Sequence, residues 1–438
     1  MSWLSRRAGR SFASLRQRDF RYLTLSSGVL GLGQWFQQIG LSWLVLDVTN
    51  SAAQVGVVSF IQGITLLISS PAGGVISDRF SRRNVVLWST GLNVLQGGSL
   101  AILVMLGMTQ TWHLYAFAFV GGVAAGISYP VRQAFTYDLT TPELLTNAMT
   151  VSSMAQSIAR VTGPPLAGVI IGLSGTQAAF FVLAVLNVVA LMLTFPIRAR
   201  GHASGVRKTE SPLTSLVEGL KFSLTDRLIL ALLIACSVAP ILAYSYVAFL
   251  PVFTKEVLKG GAETYGLLAS GIGWGSIVGL GILATLGDVR RKGLIYFITL
   301  LLYFVMLIAF ARSTTVPVAM ACLVAAGVFH SIMWVLTGIL FQMAASNEMR
   351  GRVMSLYNMT FGLQPIGALS WGYAIERWGS PNAMTAFILA AVCLTSMTVF
   401  LFPELRKAEF VEPRGELIEF IESEDSSESE RPETLRVE

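Results

Sequence analysis

Charge is what this sequence has least of. Asp, Glu, Lys and Arg make up 13% of its 438 residues, against about 25% in an ordinary soluble domain. None occurs from Val48 to Ser77 or from Asn84 to Val131. With 53% hydrophobic residues and a mean hydropathy of +0.64, the chain has too little polar sequence to cover a soluble core of its size. Cysteine is scarce as well. Cys236, Cys322 and Cys393 sit far apart inside apolar segments, which excludes a disulfide framework and metal-ligand spacing and leaves them as small hydrophobes. The three histidines (His113, His202 and His330) are widely separated and belong to no His/Glu motif. No nucleophile–base pair or metal cluster is readable, so a membrane-embedded enzyme is not indicated. No Gly-x-x-x-x-Gly-Lys-Ser/Thr loop occurs, so an ATP-driven pump is not indicated. No cofactor or metal is implied.

What the sequence does have is apolar runs of membrane-crossing length, about 20 residues each. They lack the short alternating segments of a barrel. The expected fold is an all-α integral membrane protein with twelve transmembrane helices, near 22–47, 53–77, 84–107, 113–135, 148–173, 177–197, 228–254, 264–287, 293–312, 316–340, 353–376 and 382–403. The first apolar stretch is too long for a signal-peptide core and lacks a cleavage site. It is expected to remain as the first helix.

Positive charge then assigns the sides. Arg6, Arg7, Arg10, Arg16, Arg18 and Arg21, the loop Arg79, Arg82 and Arg83, the stretch Arg198 to Arg227, Arg290 to Lys292, and Arg350 with Arg352 all fall on one side of this topology. The other side receives Lys255, Lys259, Arg312 and Arg377. Cationic loops stay in the cytoplasm, so both termini are expected there, in the plasma (inner) membrane. The formal charge of +6 thus reflects topology, and no nucleic-acid surface is indicated. The expected organisation is a basic arm at 1–21, a first six-helix half at 22–197, a linker at 198–227, a second half at 228–403 and an acidic tail at 404–438. In the linker, Leu213, Leu216, Val217, Leu220 and Leu224 share one helical face, as an amphipathic surface helix would. The tail, with 12 acids and 5 bases, reads as disordered.

The second half echoes the first. A shift of 210 residues carries Gly56 to Gly266, Gly63 to Gly273 and Asp78 to Asp288. A shift of 204 carries Gly163 to Gly367, Gly168 to Gly372 and Gly175 to Gly379. Two halves related by an axis along the membrane normal form a transporter construction with substrate bound between them, and a single chain of this kind suffices as a monomer.

The charged loop "GGVISDRFSRRN" resembles the signature between helices 2 and 3 of the major facilitator superfamily. Gly74, Asp78, Arg79, Arg82 and Arg83 match that pattern, and Ser81 stands in place of its second glycine. "GDVRRKG", with Asp288, is a degraded copy. "ARVTGPPLAG" resembles the family's helix 5 antiporter motif through Gly163, Pro164 and Gly168. "RQRDFRYL", "YPVRQAFTYDL" and "RGRVMSLYNMTFGLQPIGALSWG" are similar to the branch containing the enterobactin exporter and macrolide-efflux proteins. The resemblance runs from about Arg16 to Pro403. Many members carry an Arg early in helix 4, but Ala118 sits near that place here, so no proton relay is carried over from it. The resemblance implies a secondary transporter, with a proton-coupled exporter of drugs or siderophore-like compounds favoured by the helix 5 motif. An uptake permease of the same fold, or a receptor or scaffold, is the alternative.

Several residues stand out for chemistry. Asp78 does little for topology, so it is expected to face a helix N-terminus of the other half, where about half a positive charge resides, and to help latch a cytoplasmic gate. Arg79, Arg82 and Arg83 either join that gate or simply anchor the topology. Arg160 is placed as the sole Lys or Arg within a span. It either contacts an anionic substrate, pairs with an acid or snorkels to the interface. Asp47 and Asp138, near helix ends, and His330, which titrates near neutral pH, are candidate partners or proton sites. Trp35, Phe36, Trp274 and Trp334 either line a cavity or pack.

Overall fold

The computed structural model describes residues 13–199, 201, 221, 223–286, 292–345 and 349–402. Gly74, Asp78 and the first residues of the α11 defined below are placed as backbone only, and their side chains lie outside the described residues. Asp288, most of the linker with its expected amphipathic helix, and the acidic tail lie outside them too.

The described chain is α-helical, as a lipid-exposed backbone must be to satisfy its own hydrogen bonds. In order come α1 (Arg18–Thr49), α2 (Ala52–Arg79), α3 (Arg82–Met105) and α4 (Thr111–Asp138). The run Leu145–Thr194 is divided by Gly175 (φ 79, ψ 172) into α5 (145–174) and α6 (176–194). Then follow α7 (Arg227–Glu256), α8 (Ala262–Leu286), α9 (Lys292–Ala311) and α10 (Val316–Ala344). The last pair is α11, in two pieces (Arg350–Phe361 and Gln364–Trp378), and α12 (Ser380–Leu401).

Among the described residues, 9 helical runs are long and apolar enough to cross a bilayer, and the longest, Pro142–Thr194, includes both α5 and α6. Two helices fall outside that set. α1 carries Gln34, Gln37 and Gln38 at its middle, and the two pieces of α11 are only 12 and 15 residues long.

Gly175 and Gly379 (φ 75, ψ 157) both adopt a backbone essentially reserved for glycine. Each turns the chain from one helix into the next with no loop between. They are the same position of the internal repeat. Small residues set the packing of the rods. In the first half, Gly122 and Gly126 of α4 lie against the α2 backbone at Gln62 and Leu66. In the second half, Gly275 and Gly327 bring α8 and α10 together in the same manner.

Not every helix is continuous. α7 opens into a π-helical turn at Ala239–Ala243, around Pro240. α11 breaks before Pro365, and Gly367 beyond the break lies against the carbonyl of Ile241 in that same turn. Such interruptions are tolerated at membrane depth where they are buried in protein or line a cavity.

The cleft and its two seams

One end of the molecule carries the starts of α1, α3 and α5 and the ends of α2, α4 and α6. It is called here the basic end, and the other the far end. At the basic end the signature loop is tied into the first six helices. Ser81 caps α3 by accepting a hydrogen bond from Asn84 N, at φ −61, a backbone that has no need of the glycine usual at this position. Arg82 donates to Asp138 at 2.5 Å and to the carbonyl of Ala134 at 3.2 Å. Arg83 donates to the carbonyls of Ile197 (2.5 Å) and Phe195 (2.8 Å). Asp19 of α1 accepts from the backbone N–H of Arg198 and Ala199. Arg82 and Arg83 therefore bind within their own half, to the ends of α4 and α6, while Arg79 is exposed.

At the far end the halves meet along two seams. In one, Gly56 of α2 lies against Ala368 and Gly372 of α11, and Gly63 against Pro365. In the other, Gly168 of α5 lies against Ala262 and Gly266 of α8, and Gly266 also meets the carbonyl of Pro164. The repeat carries Gly56 to Gly266 and Gly168 to Gly372, so each seam is the symmetry copy of the other. The helix 5 motif is thus part of a seam. Its Gly163 leaves room for Trp35 of α1, where an added Cβ would come within 2.7 Å.

Polar contacts reinforce the far end. Lys255 of α7 pairs with Asp47 of α1 at 3.2 Å. Glu376 of α11 accepts hydrogen bonds from Ser51 Oγ and, at 3.3 Å, from Ala53 N, at the N-terminus of α2, where the helix dipole favours an anion. Both contacts join the two halves.

Two cations lie inside helices, which corrects the expectation that Arg160 stands alone. Arg132 of α4 donates to Ser128 (3.3 Å), to Ser26 (3.3 Å) and Ser27 (3.1 Å) of α1, and to Thr90 of α3 (2.8 Å). Its proximity to the charged end of α4 makes it read as an interfacial charge. The fold turns it inward among hydroxyls instead. Arg160 of α5 is exposed and, among the described residues, has neither hydrogen bond nor ion pair. Its charge lies within electrostatic reach of His330 on α10.

His330 sits in an aromatic cluster, with ring centroids 4.8 Å from Tyr244, 5.6 Å from Tyr303 and 5.9 Å from Trp334, and its Nε2 is buried without a partner. Of the other aromatics singled out by sequence, Phe36 is buried, Trp35 packs on α5 and Trp274 is exposed. Asp47 and Asp138 are brought to Lys255 and Arg82, not to Arg160. The described residues hold no cluster of His, Cys, Asp and Glu able to bind a metal.

Residues 9–421 match the family model described as transmembrane secretion effector. The chain belongs to that family of major facilitator transporters. It is 24% identical over 392 residues to the staphyloferrin A transporter of Staphylococcus aureus (strain NCTC 8325 / PS 47), covering 88% of this chain and 97% of that one. It is 23% identical over 309 residues to the enterobactin exporter EntS of Citrobacter koseri, covering 70% and 73%. Among solved structures it is similar to the nucleoside transporter NupG, with a TM-score of 0.71 at 13% identity over 88% of this chain and 99% of that one, which establishes the shared fold. The protein is a multi-pass membrane transporter of this superfamily.

Proposed function

We propose that this transporter moves a small molecule by alternating access. In this reading twelve helices cross the plasma membrane, both termini are cytoplasmic, and a single chain suffices. The export of drugs or siderophore-like compounds in exchange for protons is the favoured direction and cargo. The observation that carries the mechanism is the symmetric pair of seams. Glycine-lined crossings at Gly56/Gly372 and Gly168/Gly266 hold the halves together at the far end, and Asp47–Lys255 and Glu376 add polar contacts there. Two rigid halves hinged on such seams rock about a site between them. The described state is closed at the far end.

The signature loop, with Gly74, Asp78, Arg79, Arg82, Arg83 and the second-half Asp288, is assigned to the cytoplasmic gate. The ties of Arg82 and Arg83 to α4 and α6 support this, because they make that corner move with its half. Either gate must be marginal, about 1–3 kcal/mol, for the molecule to exchange between states. Protons would be carried by His330 in the interior or by Asp47 and Asp138 at the ends, the imidazole and carboxyl candidates in or beside the spans. Export is supported by the helix 5 motif at the far-end seam and by the similarity to a named exporter.

Inside-out vesicles with an imposed proton gradient test this, using a panel of dyes, macrolides and catecholate siderophores. Gradient-driven accumulation that an uncoupler abolishes is expected. Accumulation confined to right-side-out vesicles would overturn export in favour of uptake.

A further inference from the structure

Every acid in or beside the described helices lies near a helix end: Asp19, Asp47, Asp138, Glu143, Asp226, Glu256, Glu263 and Glu376. The same holds for Asp78, one residue from the end of α2. More than a turn from the helix ends, the charged groups among the described residues are Arg132 and Arg160. Among the described residues, the interior therefore carries positive charge with no carboxylate to balance it. Arg132 is satisfied by four hydroxyls. Arg160 is not satisfied by anything described.

The direction Arg160 faces follows from helix periodicity. Residues four apart share a face, so Arg160, Pro164 and Gly168 line one stripe of α5. Pro164 and Gly168 on that stripe touch Gly266 of the second half. Arg160 continues it one turn deeper, where its carbonyl lies beside Gly273 of α8 while its side chain stays exposed, and so it faces the cleft between the halves. Proline at 164 offers no N–H to the carbonyl of Arg160, which leaves a second polar group of this residue without its helical partner.

The wall contributed by the second half is of a different kind. The π-helical turn of α7 and the adjoining face of α10 bring Pro240, Tyr244, Tyr296, Trp334, Thr337 and Tyr357 around a narrow recess of about 20 Å³, room for one water, and Trp334 is 43% exposed. Beside it sits His330, whose Nε2 is buried with no hydrogen-bond partner. A cation on one wall and the rings of Tyr244 and Trp334 on the other suit a ligand with a negative head and a flat apolar body.

We infer that the substrate is an organic anion, its carboxylate or equivalent acid held by Arg160 and its apolar or aromatic body laid against the rings of Tyr244 and Trp334. This rests on the transporter reading and names the cargo of the same cleft. A cationic ligand would meet like charge at Arg160, with no carboxylate among the described residues to offset it.

The test is equilibrium binding to the purified full-length chain by isothermal titration, with two probes of matched shape: 2-naphthoate and (2-naphthylmethyl)trimethylammonium. Naphthoate is expected to bind at least 10-fold tighter than the ammonium probe, a comparison that needs no variant. Arg160→Gln should weaken naphthoate by 10-fold or more, and Arg160→Lys should retain most of the affinity. Tyr244→Ala should weaken both probes alike. Equal or tighter binding of the cation, no binding of either probe, or unchanged naphthoate affinity in a monodisperse Arg160→Gln protein would overturn the inference. Normal naphthoate selectivity without flux in vesicles would strike the transporter reading and leave the anion site standing.

Discussion

Arg132 and Arg160 show how two cations in apolar helices come to different ends. Arg132 is ringed by Ser26, Ser27, Thr90 and Ser128. Hydrogen bonds involving a charged group contribute about 1.5–3 kcal/mol each at most. Two of these hydroxyls keep other acceptors, since Thr90 donates to Val86 O at 2.7 Å and Ser26 to Ala190 O at 3.0 Å. Arg132→Gln is therefore expected to cost only about 1–2 kcal/mol, read as a modest drop in the thermal unfolding midpoint of the purified protein. Aggregation on expression would show that the residue holds more than these hydroxyls. The exposed Asp47–Lys255 pair contributes less still, below about 1 kcal/mol. Lys255→Gln should leave the unfolding midpoint almost unchanged while raising the fraction of molecules open at the far end, measured by labelling of a cysteine placed at Ser51. Arg160 is legible in the sequence because apolar residues surround it on both sides. Arg132 is not, because it lies near Asp138 and looks like the edge of a span. Nothing in one dimension reveals that four hydroxyls on three helices converge on it.

At the scale of the helix, glycine decides where rods turn and where they touch. Gly175 and Gly379 sit at φ 79 and φ 75, and holding an alanine there costs about 1–3 kcal/mol. Gly175→Ala is expected to lower the unfolding midpoint accordingly, and an unchanged midpoint would show that the turn relaxes freely. Gly168 is constrained from outside. A Cβ there would stand 2.6 Å from the Ala262 carbonyl and 2.8 Å from Gly266 Cα, backbone atoms that move only if α5 and α8 separate. Gly168→Leu should therefore hold the far-end seam apart and reduce transport at least 10-fold in vesicles, with normal insertion. Wild-type flux would contradict the seam.

The helix bounds were legible to within a few residues, since membrane burial imposes long charge-free runs. The span placed at 177–197, for example, is α6 at 176–194. The breaks in α7 and α11 were not. Pro240 lies in sequence as apolar as the rest, Pro365 follows the more polar run Tyr357–Gln364 without a charge to mark the break, and the contact between Gly367 and Ile241 that shelters both is tertiary.

For the whole molecule, the internal repeat carries the most meaning. Glycine matches at shifts of 210 and 204 residues are weak signals singly, yet they pick out both members of both seams and both loopless turns. What they leave hidden is which residues face the cleft, because helix rotation is fixed only by packing. His330 and the recess beside it become meaningful once α10 is placed against α7. The central claim is that two halves rock about these seams. Its most direct measurement is a pair of spin-label distances across the halves, with Cys236, Cys322 and Cys393 replaced. One pair sits at the far end, at Thr111 of α4 and Val316 of α10. The other sits at the basic end, at Tyr137 of α4 and Ala344 of α10. Under turnover conditions a second population is predicted in which the far-end distance lengthens as the basic-end distance shortens. Two distributions that stay single and unchanged while the protein transports would contradict the account.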